Sequence, residues 1–471
     1  MKKYLSLIPF AALIALIYVC VSTFGTDALD GATQVSLLIA SAICILVGYM
    51  MHRVDWTLLE QEMTAKIASC MPSIIILLLI GAIGGAWMIS GIVPTMIYYG
   101  VQILRPEWFL VSSSLFCALV SIVVGSSWTT VATIGVALMG IGRAHGIDDG
   151  WVAGSIITGA YFGDKLSPLS DTTVLASSVS ATPLFTHIRY MMQTTIPTFC
   201  LSLLIFTVAG LMMDAPGSSG VAFLDELQDT FLISPWLLLV PVLTGVMIAR
   251  RWPAMVVLFL AALMAALVAA LWQPQLVTQI AGSTDMSAAA IYEGVMRIVY
   301  APTALQTGSS TLDALVQTHG MSGMMPTVWL IICAQVFGGV VTATGALRDL
   351  MSLVLCFVRG TASLVASTAL TGIFCNIALA DQFLSIILTS SVYKDIYAER
   401  GYESRLLSRT CEDGATVTSV LVPWNTCGLV QSTVLGVATL TYLPYCFFNL
   451  LSPVTSVVVA ATGWGIKRQK A

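Results

Sequence analysis

Charge is what this sequence has least of. Only 9% of its 471 residues are Asp, Glu, Lys or Arg, against about 25% in a soluble domain, so no water-facing surface could cover a chain of this length. Its 20 Lys and Arg against 24 Asp and Glu give a formal net charge of −4. That leaves no basic footprint for nucleic acid. The 11 cysteines form no Cys-x-x-Cys pair and stand singly in apolar runs, where Cys serves as a small buried hydrophobe. His52, His145, His187 and His319 are isolated, with no metal-ligand spacing among them. No Gly-x-Ser-x-Gly elbow, zinc motif or phosphate-binding loop is visible, which makes an enzyme the most distant reading and leaves no cofactor to expect.

What fills the chain instead is apolar sequence, 57% hydrophobic with a mean hydropathy of +0.91. A helix needs about 20 such residues to cross a bilayer. Runs near that length lie at 4–22, 34–51, 71–90, 190–213, 232–250, 252–272, 325–343 and 443–463. Four more, 109–142, 151–182, 361–392 and 404–442, are apolar but interrupted. Together they predict an all-α polytopic membrane protein with about ten to twelve transmembrane helices, some discontinuous. The opening Lys2-Lys3 with its apolar run has no clear cleavage site after it and reads as a retained first span.

Lys2, Lys3, Arg53, Lys66, Arg250, Arg251, Lys467, Arg468 and Lys470 mark cytoplasmic ends. The segment 23–33, with Asp27 and Asp30 but no base, and the Lys-free segment 273–324 fall outside. Both termini are therefore expected in the cytoplasm.

The halves echo each other. Met71-Pro72 matches Met325-Pro326, Gly84-Gly85 matches Gly338-Gly339 and Gly91 matches Gly345, each 254 positions apart (338 − 84). One residue later in register, Pro168 meets Pro423 and Ser170 meets Asn425. The first unit follows a cytoplasmic segment and the second an outer one, which makes the pair an inverted repeat, a recurrent plan of secondary transporters. The expected division is 1–70 as N-terminal helices, 71–213 as the first repeat and 214–324 as linking helices with an outer segment. The second repeat is then 325–463, and 464–471 is a basic tail.

Polar residues inside this apolar body are the candidates for function. Gly125-Ser126-Ser127-Trp128-Thr129-Thr130 breaks one run and, over 125–130, fits either an unwound helix with freed carbonyls or a small-residue contact between helices. Asp164, Lys165, Asp171 and Thr172 sit in a hydroxyl-rich stretch around Pro168, where a proline predicts irregular backbone or a headgroup loop. In the second half Asn376 and Asp381 break the run over 376–381, and Glu412-Asp413 leads to Pro423-Trp424-Asn425-Thr426. Acids within spans are costly and functional by default. Lys165 and Arg409 could pair with them or bind a substrate carboxylate. Burial disfavours an ionised carboxylate without a partner, so a proton and Na⁺ compete for it, with hydroxyls as further hard oxygen ligands.

At the segments 125–130, 159–173 and 412–428 the sequence resembles the NhaC family of Na⁺/H⁺ antiporters. The resemblance implies an inner-membrane antiporter of two inverted repeats, with a scaffold part and a transport part that moves as an elevator. The ion-binding candidates are Asp164, Asp171, Asp381, Glu412, Asp413, Ser126, Ser127, Thr129, Thr130, Thr172, Asn376, Asn425 and Thr426, a subset of them holding sodium. Similar proteins exchange carboxylates or amino acids, such as malate for lactate, so a coupled organic exchanger is the second reading and a channel the third. The expected partners are Na⁺, H⁺ and the lipid bilayer, with a small organic anion or amino acid in the second reading. A homodimer is the candidate assembly.

Overall fold

A computed structural model describes residues 5–24, 31–51, 54–213, 219–250, 252–283, 285–305, 313, 316–346, 349 and 360–468. Lys2, Lys3, Asp27, Asp30, His52, Arg53, Arg251 and Lys470 lie outside them. Among the described residues the chain is helical, apart from loops and two isolated bridges, Thr303–Thr318 and Tyr402–Arg468. Seven helices are long and apolar enough to cross a membrane, or up to nine if each of two pairs bent by 89° counts as one span. Three shorter apolar helices, Ile8–Phe24, Ile92–Ile103 and Phe447–Thr462, account for part of the difference from the expected number of about ten to twelve. Two of the interrupted runs, 109–142 and 361–392, are hairpins, each with one arm, Pro106–Val124 or Thr361–Leu379, among those seven.

The first hairpin joins Pro106–Val124 to helix over 127–144. Pro106 opens it where a missing N–H costs nothing, and Gly125, at φ +70°, ends the first arm in the left-handed region. Ser126 is extended, and its Oγ accepts a hydrogen bond from the N–H of Thr129 at 3.2 Å. The arms close again at their base, where the rings of Phe109 and His145 lie 5.8 Å apart. The second hairpin joins Thr361–Leu379 to Gln382–Glu399 and is rung by Ser367–Tyr393 (2.6 Å) and Thr368–Tyr397 (3.1 Å) bonds. Its tip is Ala380, at φ +54°, and Asp381, whose Oδ1 accepts from the N–H of Leu384 at 2.9 Å.

Both breaks are narrower than the expected 125–130 and 376–381. Helix resumes at Ser127, and Asn376 remains inside Thr361–Leu379. The physical reason is capping: Ser126 and Asp381 satisfy the first free N–H groups of the next helix, so the polar side chains start helices instead of replacing them.

Each hairpin leads to a broken span. In the first, Asp149–Leu166 stops at Ser167 and resumes as Asp171–Val179. In the second, Ser404–Cys411 passes through the π-turn Glu412–Thr416 and the 3-10 turn Ser419–Leu421, then resumes as Thr426–Leu435. Element by element the two halves repeat at an offset of 255: Ser126 against Asp381 (381 − 126), Asp149 against Ser404, Ser170 against Asn425. The contacts repeat too. Ser121 donates to the carbonyl of Ala160 at 2.7 Å, and its counterpart Asn376 donates to the carbonyl of Ala415 at 2.6 Å. Gly159 and Gly414 (414 − 159 = 255) let hairpin and broken span touch, since an added Cβ would lie 2.0 Å from the Ser114 oxygen and 2.7 Å from the Ala369 Cα.

The halves run in opposite directions. The base of the first hairpin and Asp149 lie at the face where Gly150 packs on Tyr445. Ser404 and the base of the second hairpin lie at the other face, where Thr182 donates to Ser404 at 2.9 Å and Thr361 bonds Tyr402 at 2.5 Å. The 34-residue helix Trp56–Ile89 runs alongside and packs on Ala254–Trp272 and Met325–Thr344. Position 71, the expected start of the first unit, falls inside this continuous helix.

Candidate functional site

The hairpin tips meet inside the molecule. Ser126 and Ser127 from one, and Gln382 and Phe383 from the other, line a single cavity of about 500 Å³. Asp164 and Asp171 line it as well. Asp164, 7% exposed, stands two residues before the end of Asp149–Leu166. Its Oδ2 accepts from the backbone N–H of Ser127 at 3.2 Å and from the Ser127 hydroxyl at 2.8 Å. The hairpin thus turns the start of a helix, with its unpaired N–H groups, toward a carboxylate. Asp171 is exposed and opens the short helix Asp171–Val179, which runs toward the Thr182–Ser404 contact. Ser126, Thr129 and Thr172 complete the polar lining among the expected residues.

Applying the 255-residue offset to Ser127 and Asp164 gives Gln382 and Ser419 (382 − 127, 419 − 164). They too are bonded to each other, with donor and acceptor exchanged between hairpin and span: the Ser419 hydroxyl donates to Gln382 Oε1 at 2.8 Å. One half therefore sets hydroxyl against carboxylate and the other hydroxyl against amide. Neutral groups join this second tip to the second broken span. Asn425 Nδ2 donates to the carbonyl of Asn376 at 3.2 Å, and the N–H of Thr426 donates to the carbonyl of Ala380 at 3.0 Å. Asn376, Asn425, Thr426 and also Thr130, whose hydroxyl donates to the Ser126 carbonyl at 2.9 Å, do not line the cavity.

The remaining acids have other surroundings. Asp381 caps its helix and interacts electrostatically with Lys66, a buried base on Trp56–Ile89. Asp413 is fully buried in an ion-pair cluster: it pairs with Lys165, accepts from Thr194 at 3.0 Å and Ser452 at 3.1 Å, and has Arg409 Nε at 4.0 Å. The Arg409 guanidinium lies 4.8 Å over the ring of Tyr190, and none of its nitrogens has a hydrogen-bond partner. Both carboxylate oxygens of Glu412 also lack one. Lys165, Arg409, Glu412, Asp413 and Asp381 lie outside the cavity lining.

A second cavity of about 130 Å³, toward the Asp149 face, lies between Thr133, Arg143, His319 and Thr433. The two cavities nearly meet. Thr129 lines one and Thr133 the other, and the Thr133 hydroxyl donates to the Thr129 carbonyl at 2.8 Å. Between them begins the π-turn Val131–Gly135, a local misfit of the kind that gathers at functional sites.

Sequence reasoning missed Gln382, Ser419 and Lys66. The first two follow from the internal repeat once its register is known. Lys66 gave no signal beyond its place in a flanking segment, where it reads as a span end.

A profile of the Na⁺/H⁺ antiporter family matches residues 159–464. The chain is 35% identical over 432 residues to the Na(+)/H(+) antiporter NhaC of Alkalihalophilus pseudofirmus, covering 91% of this chain and 90% of that one. It is 33% identical to the malate-2H(+)/Na(+)-lactate antiporter of Bacillus subtilis, covering 92% and 90%. It is 32% identical to the arginine/ornithine antiporter ArcD of Halobacterium salinarum, covering 98% and 92%.

Proposed function

The chain belongs to the Na⁺/H⁺ antiporter family, and from that premise we propose that it exchanges Na⁺ for H⁺ at Asp164. The observation that carries the reading is a buried carboxylate held by Ser127 at the hairpin tip and lining a cavity. Na⁺ takes the carboxylate oxygens together with hydroxyls of Ser126, Ser127 or Thr129. A proton on the same carboxylate excludes it, and mutually exclusive occupancy is all that coupling needs. Exposure to one face at a time then converts a gradient of one ion into movement of the other.

The units 71–213 and 325–463 act in this reading as inverted halves around the fixed site. Charge supports placing the Ser404 face in the cytoplasm, since Lys394, Arg400, Arg405, Lys467 and Arg468 gather there. The cavity at Asp164 is thus open inward.

The test is flux into proteoliposomes that enclose a pH dye. Asp164→Asn keeps the side-chain size and removes the titrating group, so Na⁺-driven proton movement is expected to vanish from a monodisperse protein. Wild-type exchange by the folded variant would end the assignment. A second reading, coupled exchange of an organic acid or amino acid, draws support from the malate/lactate and arginine/ornithine antiporters among the relatives. Proton flux that requires malate, lactate or an amino acid would favour it.

A further inference from the structure

We propose that the Asp164 cavity also takes a small organic cation, an alkylammonium or guanidinium solute, in competition with Na⁺; this rests on the exchange site assigned above. Size is the first argument. A bare Na⁺ needs no more room than a water molecule, about 30 Å³, whereas the cavity holds about 500 Å³. That lies within the ~300–1,000 Å³ of pockets that bind organic ligands.

Charge is the second. Buried Asp164 and exposed Asp171 are both acids, and no Lys, Arg or His is among the described residues of the lining. Lys165 and Arg409, the bases the sequence offered to an organic anion, lie outside the lining. Lys165 is paired with Asp413, and Arg409 lies between Asp413 and the ring of Tyr190. A carboxylate entering this cavity would meet carboxylates.

The lining itself is the third. Trp128, Trp252 and Phe383 stand among the hydroxyls and acids. A hard ion that wants oxygen ligands gains nothing specific from indole and phenyl faces, whereas an organic cation is attracted to them. Room, negative charge and aromatic faces in one cavity select an organic cation over an organic anion.

Choline is a suitable probe, because its permanent charge prevents it from crossing the bilayer as a neutral base or carrying a proton. The full-length protein in proteoliposomes is assayed for Na⁺-driven proton flux with choline added, and for counterflow of labelled choline. The expected result is competition: choline raises the Na⁺ concentration for half-maximal flux without lowering the maximal rate, and counterflow is saturable and inhibited by Na⁺. Trp252→Leu is expected to raise the choline concentration for half-inhibition about fivefold. Intact Na⁺/H⁺ exchange that choline and agmatine both leave unchanged overturns the inference alone, as does competition by malate or lactate instead. Absence of Na⁺/H⁺ exchange together with absence of choline counterflow overturns the site assignment beneath it.

Discussion

Asp164 and Lys165 are neighbours in the chain with opposite surroundings, because successive helical residues point about 100° apart. Asp164 faces the cavity, and Lys165 faces the interior cluster of Asp413, Ser452 and Arg409. The two acids should therefore answer the same change differently. Asp164→Asn is expected to yield folded, inactive protein. Asp413→Asn leaves the buried cations Lys165 and Arg409 without their carboxylate, which costs about 3–5 kcal/mol. Size-exclusion profiles of the two variants, run beside flux, separate these outcomes; a monodisperse Asp413→Asn with normal melting temperature would contradict the ion-pair role. Ser127→Ala tests the cavity side. It removes a hydroxyl bond to Asp164 worth about 1.5–3 kcal/mol, and the Na⁺ concentration for half-maximal exchange should rise tenfold or more. An unchanged Na⁺ dependence would show that the Ser127 hydroxyl neither orients the carboxylate nor binds the ion.

Among elements, the hairpin tips were legible as interruptions, though their inner structure was not. Glycine with four hydroxyl residues over 125–130 announces a break, yet the residues beyond Ser126 form helix. Side-chain capping looks, in composition, the same as unwinding. Gly125 is the position that cannot vary. It holds φ +70°, and an added Cβ would lie 2.7 Å from the Cβ and 2.8 Å from the carbonyl carbon of Leu169. Gly125→Ala should therefore displace the tip from the broken span and abolish exchange, whereas the same change at Gly84, which has open space around it, should be tolerated. Gly159→Ala and Gly414→Ala wedge apart equivalent helix pairs in the two halves. Each is expected to destabilise by about 1–3 kcal/mol, the usual range for overpacking, and thermal melting of the two variants checks it. A wild-type melting temperature for both would mean the helices can separate freely.

For the whole molecule, what was legible was the succession of spans and the duplicated plan. What stayed hidden was long-range pairing. Nothing local tells that Lys165 will meet Asp413, 248 residues away, or that Lys66 will be buried within electrostatic reach of Asp381. The arrangement of two cavities on opposite faces of one wall yields a prediction of its own. Leu169→Cys lines the Asp164 cavity and Gln317→Cys the other. In a background with the exposed Cys200 replaced, a membrane-impermeant maleimide should label the first only from the cytoplasmic side and the second only from outside. Labelling of both from one side would reverse the placement of the faces or break the wall between them.

The mirrored bonds Ser127–Asp164 and Gln382–Ser419 bear on how many ions move per turnover. The frame is twofold, but only one of its two equivalent stations carries an acid, so with Asp164 as the proposed exchange site ion stoichiometry would rest on a single pair of positions. Gln382→Ser with Ser419→Asp would give the second station the same chemistry as the first. The Na⁺ dependence of exchange should then steepen, with a Hill coefficient climbing toward the number of sites. A protein that has diverged from two equal halves would in this way be returned, in charge as well as in shape, to the symmetry its backbone still keeps.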